Sequence, residues 1–453
     1  MRTAILCCVA GLLCPVLGLA GEDDTRGARR VTALDRYVAA ADDSFGWEVL
    51  KKLSNDRGTV YDVELTSQTW RGMTWRHQML VCVPTERASD DTALLFITGG
   101  SNKNRVAIQE ATLGLVLARV AKAPCIVLRQ VPNQPLLGNR YEDDLIAETF
   151  VEFMKSGDEQ WPLLLPMVKS AVRAMDATQA LLAQETDLKI SKFVVTGASK
   201  RGWTTWLTAA VDRRVKAICP MVIDTLNFDK QLPNQLRIWG RYSEQIRDYT
   251  SRGLIEQLRT PRGRILTGIV DPYSYRERYR LPKLIINGSN DRYWVVDALN
   301  HYWDDLPGPK YALYLPNAGH GLEQHRDYAI RGVAAFVRHV AEGLPLPKLE
   351  WKYKYTERGL RLEIVCDQPI KAARAWVAYV PDLDFRVAHW SALPMDREGT
   401  AWVVEVPEKK GQNGAVFGDL TLTMDGLEYH LSTTVGRIPR LRLDETEPSA
   451  AAR

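Results

Sequence analysis

A chain of 453 residues is too long for one ordinary hydrophobic core, so its length alone predicts two domains. With 45% hydrophobic and 25% charged residues it is neither a fibre nor a natively unfolded chain. A net charge of +4 over that length makes no case for nucleic acid or a membrane surface as partner.

In chain order, residues 1–20 read as a secretory signal peptide. Arg2 precedes an uncharged apolar run from Ala4 to Leu17, and Gly18, Leu19 and Ala20 end it before the acids Glu22, Asp23 and Asp24. The run is too short for a membrane span, and no later stretch qualifies as one. This places the mature protein in the periplasm or outside the cell. Cys7, Cys8 and Cys14 leave with the segment. Of the four cysteines left, Cys82, Cys125 and Cys219 lie in apolar strands and read as buried free thiols, while Cys366 lies further on. A Cys82–Cys125 bridge is open if their strands are neighbours. No spacing fits a metal site, and no cofactor is implied.

Strands are predicted at Thr59–Thr66 and Trp75–Val83, an antiparallel start. Six more follow at Ala93–Thr98, Cys125–Arg129, Lys192–Thr196, Val215–Ile223, Leu284–Asn287 and Tyr311–Leu315. From Ala93 they alternate with helical stretches such as Val106–Ala121 and Leu165–Leu182. Apolar strands separated by helices predict a mostly parallel sheet covered on both faces. Asn287-Gly-Ser289 fits a glycosylation sequon, but a buried strand end makes it fortuitous. Two insertions interrupt the alternation. Gln130–Trp161 reads as long and irregular, with an acidic run at Glu142-Asp-Asp144. About 224–281 is rich in Trp, Tyr and Arg and reads as a lid over the strand ends.

Phe193 to Gly202 carries the chemistry. An apolar strand turns sharply at Gly197-Ala198-Ser199 and runs on as a helix of small residues. That is the layout of a nucleophile elbow, where a serine sits on a strained strand-to-helix turn. Small neighbours let strand and helix approach. The helix start aims backbone N–H groups at any oxyanion formed beside the serine. One departure stands out: Arg201 takes the second glycine position of G-x-S-x-G, and Gly202 follows one residue late.

An elbow serine needs a base and an orienting acid, in the order Ser, Asp or Glu, His. Asp291 and His320 each lie just past a strand end, in the loops after Leu284–Asn287 and Tyr311–Leu315. Ser199, Asp291 and His320 are thus the candidate triad. Asp224 competes as the acid and His325 as the base. The oxyanion donors are predicted to be the N–H groups of Lys200 and of Gly100, in the turn after the third strand. Arg201 and Trp203 are candidate substrate-binding residues. Lys200, Arg201, Arg237, Arg241, Arg276 and Arg278 would favour a carboxylate-bearing substrate if two or more faced the pocket.

After Leu344-Pro-Leu-Pro347 the pattern changes to alternating strands, with a hairpin turn at Asp425-Gly426. This predicts an immunoglobulin-like β-sandwich over 349–437 and a disordered tail over 438–453. The remainder, 21–348, is the catalytic domain. Eight strands with the serine after the fifth match the α/β-hydrolase plan, so the expected class is α/β with a C-terminal β-sandwich domain.

The strings Leu65-Thr-Ser-Gln-Thr-Trp70, Thr74-Trp-Arg-His77, Ile97-Thr-Gly-Gly-Ser-Asn102, Val131-Pro-Asn-Gln-Pro135, Gly197-Ala-Ser-Lys-Arg-Gly-Trp203 and Met221-Val-Ile-Asp-Thr-Leu-Asn227 together resemble one family. It is that of the PhoPQ-activated pathogenicity-related proteins, secreted members of the α/β-hydrolase superfamily. The resemblance implies a serine-hydrolase fold and secretion, and little about substrate. The elbow also resembles that of glucuronoyl esterases, with alanine and lysine replacing their cysteine and arginine. The expected activity is acyl transfer on an ester. The alternatives are a prolyl-oligopeptidase-like peptidase, and a non-catalytic factor binding peptide or glycan. The expected partner is a small-molecule or peptide substrate; the oligomeric state stays open.

Overall fold

The computed structural model describes residues 30–107 and 112–439. The expected signal segment and all but the first two residues of the expected tail lie outside them.

Strands form at each of the eight expected places, and one more precedes them. The first nine are β1 (Gly46–Asn55), β2 (Gly58–Trp70), β3 (Met73–Pro84), β4 (Thr92–Ile97), β5 (Cys125–Leu128), β6 (Lys192–Ala198), β7 (Val215–Met221), β8 (Lys283–Gly288) and β9 (Lys310–Leu315). They lie in the order β1-β2-β3-β5-β4-β6-β7-β8-β9. β1 to β3 pair antiparallel, as do β3 and β5, and the run from β5 to β9 is parallel. The parallel strands are apolar on both faces because helices cover both. Leu95, Phe193 and Val195 face the core shared with helices Leu164–Glu185 and Lys200–Val211. Leu94 and Val194 face the core shared with Thr112–Ala121 and Arg326–Glu342. Each fully buried Val, Leu or Phe contributes about 1.5–3 kcal/mol.

The sheet does not end at β9. Nine more strands follow: β10 (Leu349–Thr356), β11 (Gly359–Cys366), β12 (Ala372–Val380), β13 (Ser391–Pro394), β14 (Asp396–Glu398), β15 (Ala401–Pro407), β16 (Asn413–Met424), β17 (Leu427–Ser432) and β18 (Gly436–Ile438). β17 pairs with β9 at Ser432 and Ala312, and Tyr314 N donates to Ser432 Oγ at 3.0 Å. The sheet therefore continues through β17-β16-β12-β13 to 14 strands, with β18 paired to β16. The expected boundary near 349 is no break in the sheet. A second sheet, β10-β11-β15-β14, lies against this extension so closely that a Cβ on Gly418 would meet Ile364 Cδ1 at 2.3 Å. Asp425 and Gly426 turn the β16–β17 hairpin with φ of 44° and 74°, as a type I′ turn requires.

Cys82 and Cys125 face each other across β3 and β5, yet both are free and buried. Burial pushes the Cys82 thiol up to about 12 and Cys125 well above its ordinary value, so both rest as thiols. Asn287 is buried and donates to Asp224 Oδ2 at 2.7 Å, which accounts for its place in a sequon by packing alone. Among the described residues no helix is long and apolar enough to cross a membrane.

Candidate active site

β6 is the middle of the parallel run, and its carboxyl end leads directly into the helix Lys200–Val211. Ser199 stands between them with φ 57° and ψ −123°, a conformation that costs a non-glycine residue of order 1–3 kcal/mol. Its N–H donates to Met221 O at 2.9 Å, which pins the turn to β7. The flanking glycines are there for close approach. A Cβ on Gly197 would meet Arg201 O at 2.7 Å, and one on Gly202 would meet Met221 O at 2.9 Å.

His320 Nε2 lies 2.9 Å from Ser199 Oγ, and His320 Nδ1 lies 2.8 Å from Asp291 Oδ2. Asp291 is buried, and its other oxygen accepts from Tyr293 N at 2.8 Å. The structure thus brings the three sequence candidates into one hydrogen-bonded chain. Asp224 is not part of it. Burial pushes its carboxyl up to about 7, although hydrogen bonds from Tyr302 and Asn287 favour the charged form. His325 caps the helix Arg326–Glu342 and packs on Tyr328 and Trp376 instead.

Lys200 begins the helix, where its backbone N–H has no partner within the helix. Gly100 adopts φ 129°, a region open to glycine, in the loop after β4. Among the described residues its N–H has no hydrogen-bond acceptor.

Ser199 and His320 open into a cavity of about 80 Å³. Phe150, Trp203, Ile223, Tyr293 and Trp294 wall it, and Phe228, Leu232, Ile246, Tyr249, Leu254, Ile255 and Leu258 close it from the segment expected to be the lid. That segment forms helices at Phe228–Trp239, Arg247–Thr250, Leu254–Gln257 and Pro261–Val270. Trp203 lines the cavity as expected and donates Nε1–H to Val270 O at 2.6 Å.

The condition set on the arginines is not met at the cavity. Arg201 is turned away from the cavity and gives both terminal nitrogens to Glu142, at 2.7 and 2.6 Å. It pairs with that acid and is not among the residues that line the cavity. Arg278 pairs with Asp35, and Arg237 donates to Asn234. Arg237, Arg241, Arg276 and Arg278 are all absent from the cavity wall. The charges that do line it are Lys200 and Asp143, paired at 2.6 Å. Burial opposes the charge on Lys200, yet Asp143, Tyr293 and Glu142 outweigh it and raise the lysine above its ordinary value.

Sequence reasoning missed three features of the site and its surroundings. Asp143 accepts from Tyr249 Oη at 2.9 Å as well as pairing with Lys200. The Tyr293 ring lies on His320, with centroids 4.1 Å apart. Glu142 opens a regular helix, Glu142–Ser156, in a stretch expected to be irregular. The helix was legible in three first-turn acids and in Gly157, its left-handed C-cap. Tyr249 lies in the aromatic-rich segment expected to be the lid, while nothing marked Tyr293.

Residues 34–386 match the PhoPQ-activated pathogenicity-related protein family. Over 341 residues the chain is 36% identical to autocrine proliferation repressor protein A of Dictyostelium discoideum, spanning 72% of this chain and 68% of that one. Acetyl xylan esterase 1 from Thermoanaerobacterium sp. JW/SL YS485 superposes with a TM-score of 0.46 and 15% identity over 67% of this chain and 90% of that one. For the glucuronoyl esterase from Solibacter usitatus the TM-score is 0.41 and the identity 14%, over 68% and 91%.

Proposed function

We propose, for a chain that belongs to the PhoPQ-activated pathogenicity-related protein family, an exported serine hydrolase that transfers the acyl group of an uncharged ester to water. One observation carries the reading: a serine held at φ 57° has its Oγ 2.9 Å from a histidine Nε2, and that histidine's Nδ1 meets a buried carboxylate at 2.8 Å.

Ser199 Oγ attacks the ester carbonyl carbon, and His320 Nε2 takes the hydroxyl proton. Asp291 keeps the other proton on Nδ1, so that Nε2 faces the serine as a base, and stabilises the imidazolium. The tetrahedral oxyanion lies against the N–H groups of Lys200 and Gly100, at the positive end of the helix. His320 returns the proton to the departing alcohol. Water, deprotonated by the same histidine, then attacks the acyl carbon; the bond to Ser199 Oγ breaks, His320 returns the proton to that oxygen, and the acid leaves. The apolar wall supports an uncharged acyl group and removes the basis for a carboxylate-selective site, because Lys200 is matched by Asp143 and the arginines lie elsewhere.

The composition of residues 1–20 supports export. The facing sheets after 349 support an immunoglobulin-like module that shares an edge with the catalytic domain. The test is a panel of short-chain p-nitrophenyl esters, carboxylate-bearing esters and aminoacyl p-nitroanilides, run with the wild type and Ser199→Ala. Turnover of neutral esters that Ser199→Ala abolishes is the expected result. Faster turnover of the anilides would make it a peptidase. No turnover of any class would favour a binding protein.

A further inference from the structure

We infer that Arg201, Glu142 and Gln134 are positioning residues, a clamp that sets the oxyanion loop against the nucleophile elbow. The inference rests on acyl transfer at Ser199 as proposed above.

Arg201 lies two residues past the nucleophile, on the first turn of its helix. Its Nη1 and Nη2 grip Glu142 Oε2 and Oε1 at 2.7 and 2.6 Å, and its Nε donates to Val131 O at 2.5 Å. A planar guanidinium held at three points fixes direction as well as distance. Gly99, the residue before the predicted oxyanion donor, packs directly against this group: a Cβ there would meet Arg201 Nη2 at 2.4 Å.

Gln134 carries the grip to the loop. Its Nε2 donates to Glu142 Oε1 at 2.6 Å and to Gly100 O at 3.2 Å. Its Oε1 accepts from Glu142 N at 2.8 Å, which supports Glu142 in a left-handed conformation, φ 49°. Its own carbonyl accepts from Asn102 N at 2.6 Å. Gly99 O is bonded in turn by Gln130 N at 3.0 Å. In a trans peptide the N–H points opposite to the C=O. Fixing Gly99 O therefore fixes the direction of Gly100 N–H, and fixing Gly100 O fixes the next peptide plane. Both planes flanking the donor are pinned, and one of the pins runs through Gln134 and Glu142 to the helix that begins at Ser199. Arg201 and Gln134 are buried, and the Glu142 side chain between them is 38% exposed, so the grip is anchored from its buried side. This gives the departure from G-x-S-x-G a role. The position usually left bare carries a side chain that joins the two halves of the oxyanion hole.

Such a clamp acts only when an oxyanion forms, so its loss reads in kcat and not in KM. Two variants test it. Gln134→Leu removes the link and keeps the volume. The double variant Arg201→Met/Glu142→Leu removes both charges together and leaves neither buried alone. Rates are expressed per site labelled by a fluorophosphonate, which discounts misfolded protein. We expect kcat per labelled site to fall roughly 10- to 100-fold with KM within about 3-fold. The dissociation constant of an alkylboronic acid, whose adduct places an oxygen where the oxyanion forms, should rise by the same factor. Arg201→Lys, which keeps the charge and loses the fork, should fall between the double variant and the wild type. If both variants keep wild-type kcat per labelled site and boronate affinity, the clamp has no part in the reaction and the inference is wrong. If the wild type neither labels at Ser199 nor turns over esters, the acyl-transfer reading fails, and this inference with it.

Discussion

Lys200 Nζ lies 2.6 Å from Asp143 Oδ2, in the wall of the cavity that holds Ser199. The cation next to Ser199 is thus neutralised from the neighbouring helix Glu142–Ser156. The site should prefer a neutral ester over its carboxylate-bearing analogue, with little change in that preference between low and high salt. Asp143→Asn frees the lysine charge and should improve kcat/KM for the anionic ester by about tenfold, equivalent to ~1.4 kcal/mol, relative to the neutral one. Matched kinetics on butyryl and succinyl esters check this. An anionic preference already present in the wild type would contradict it.

The two aspartates near the site separate by mutation. Asp291→Asn should cost on the order of 10⁴ in kcat, the usual loss when the histidine loses its orienting acid. Asp224→Asn should stay within about tenfold of wild type, since it touches Tyr302 and Asn287 and not His320. It should also change the pH dependence of stability. Burial raises Asp224 from 3.8 to about 7, so between those values the folded chain keeps a proton that the unfolded chain releases. Its contribution is fully present below the unfolded value and is lost as pH rises through about 7. The melting temperature of the wild type relative to Asp224→Asn should therefore fall between pH 5 and pH 8. A difference that is flat or rises with pH would contradict the assignment.

Glycine replacements report how tightly the elbow is packed. Gly197→Ala drives a Cβ into the backbone of Arg201 and should destabilise by about 1–3 kcal/mol. Gly268→Ala is the control. It lies in the helix Pro261–Val270 with nothing within 4 Å of its added Cβ, and should stabilise by about 0.5–1 kcal/mol. Thermal melts of both variants settle the comparison.

These residues also show how far the sequence alone reaches. The strand positions were legible because strands buried on both faces are apolar runs, and Ser199, Asp291 and His320 because chain order and strand ends restrict where a triad can form. β1 was missed because seven of its ten residues are exposed, and only Trp47 and Val49 pack against the core, too short an apolar pattern to read. The junction of β17 with β9 was missed because sheet pairing is made by backbone groups that carry no sequence signal. Whether the arginines face the pocket stayed open in the sequence, because a guanidinium reads alike whether it meets substrate or, like Arg201, an acid 59 residues away in the chain.

Acyl length is the next test. A cavity of about 80 Å³ holds roughly five to eight waters, the space of a short acyl chain. Each buried methylene contributes about 0.8 kcal/mol, near fourfold in kcat/KM. Efficiency should climb by about that factor per carbon beyond acetyl, then drop once the chain outgrows the cavity. Ile255→Trp, which fills the lid side, should return the optimum to acetyl. An efficiency that is independent of acyl length would mean that the acyl group does not enter this cavity.

The central claim is that Ser199 is an activated nucleophile. Treating the protein with a fluorophosphonate and locating the adduct by mass spectrometry tests it most directly, because only an activated serine reacts rapidly. The account predicts one adduct per chain, on the peptide that contains Ser199, lost in Ser199→Ala and slowed by at least about 10³ in His320→Ala. A chain that stays unlabelled, or is labelled equally with Ser199 removed, would contradict it.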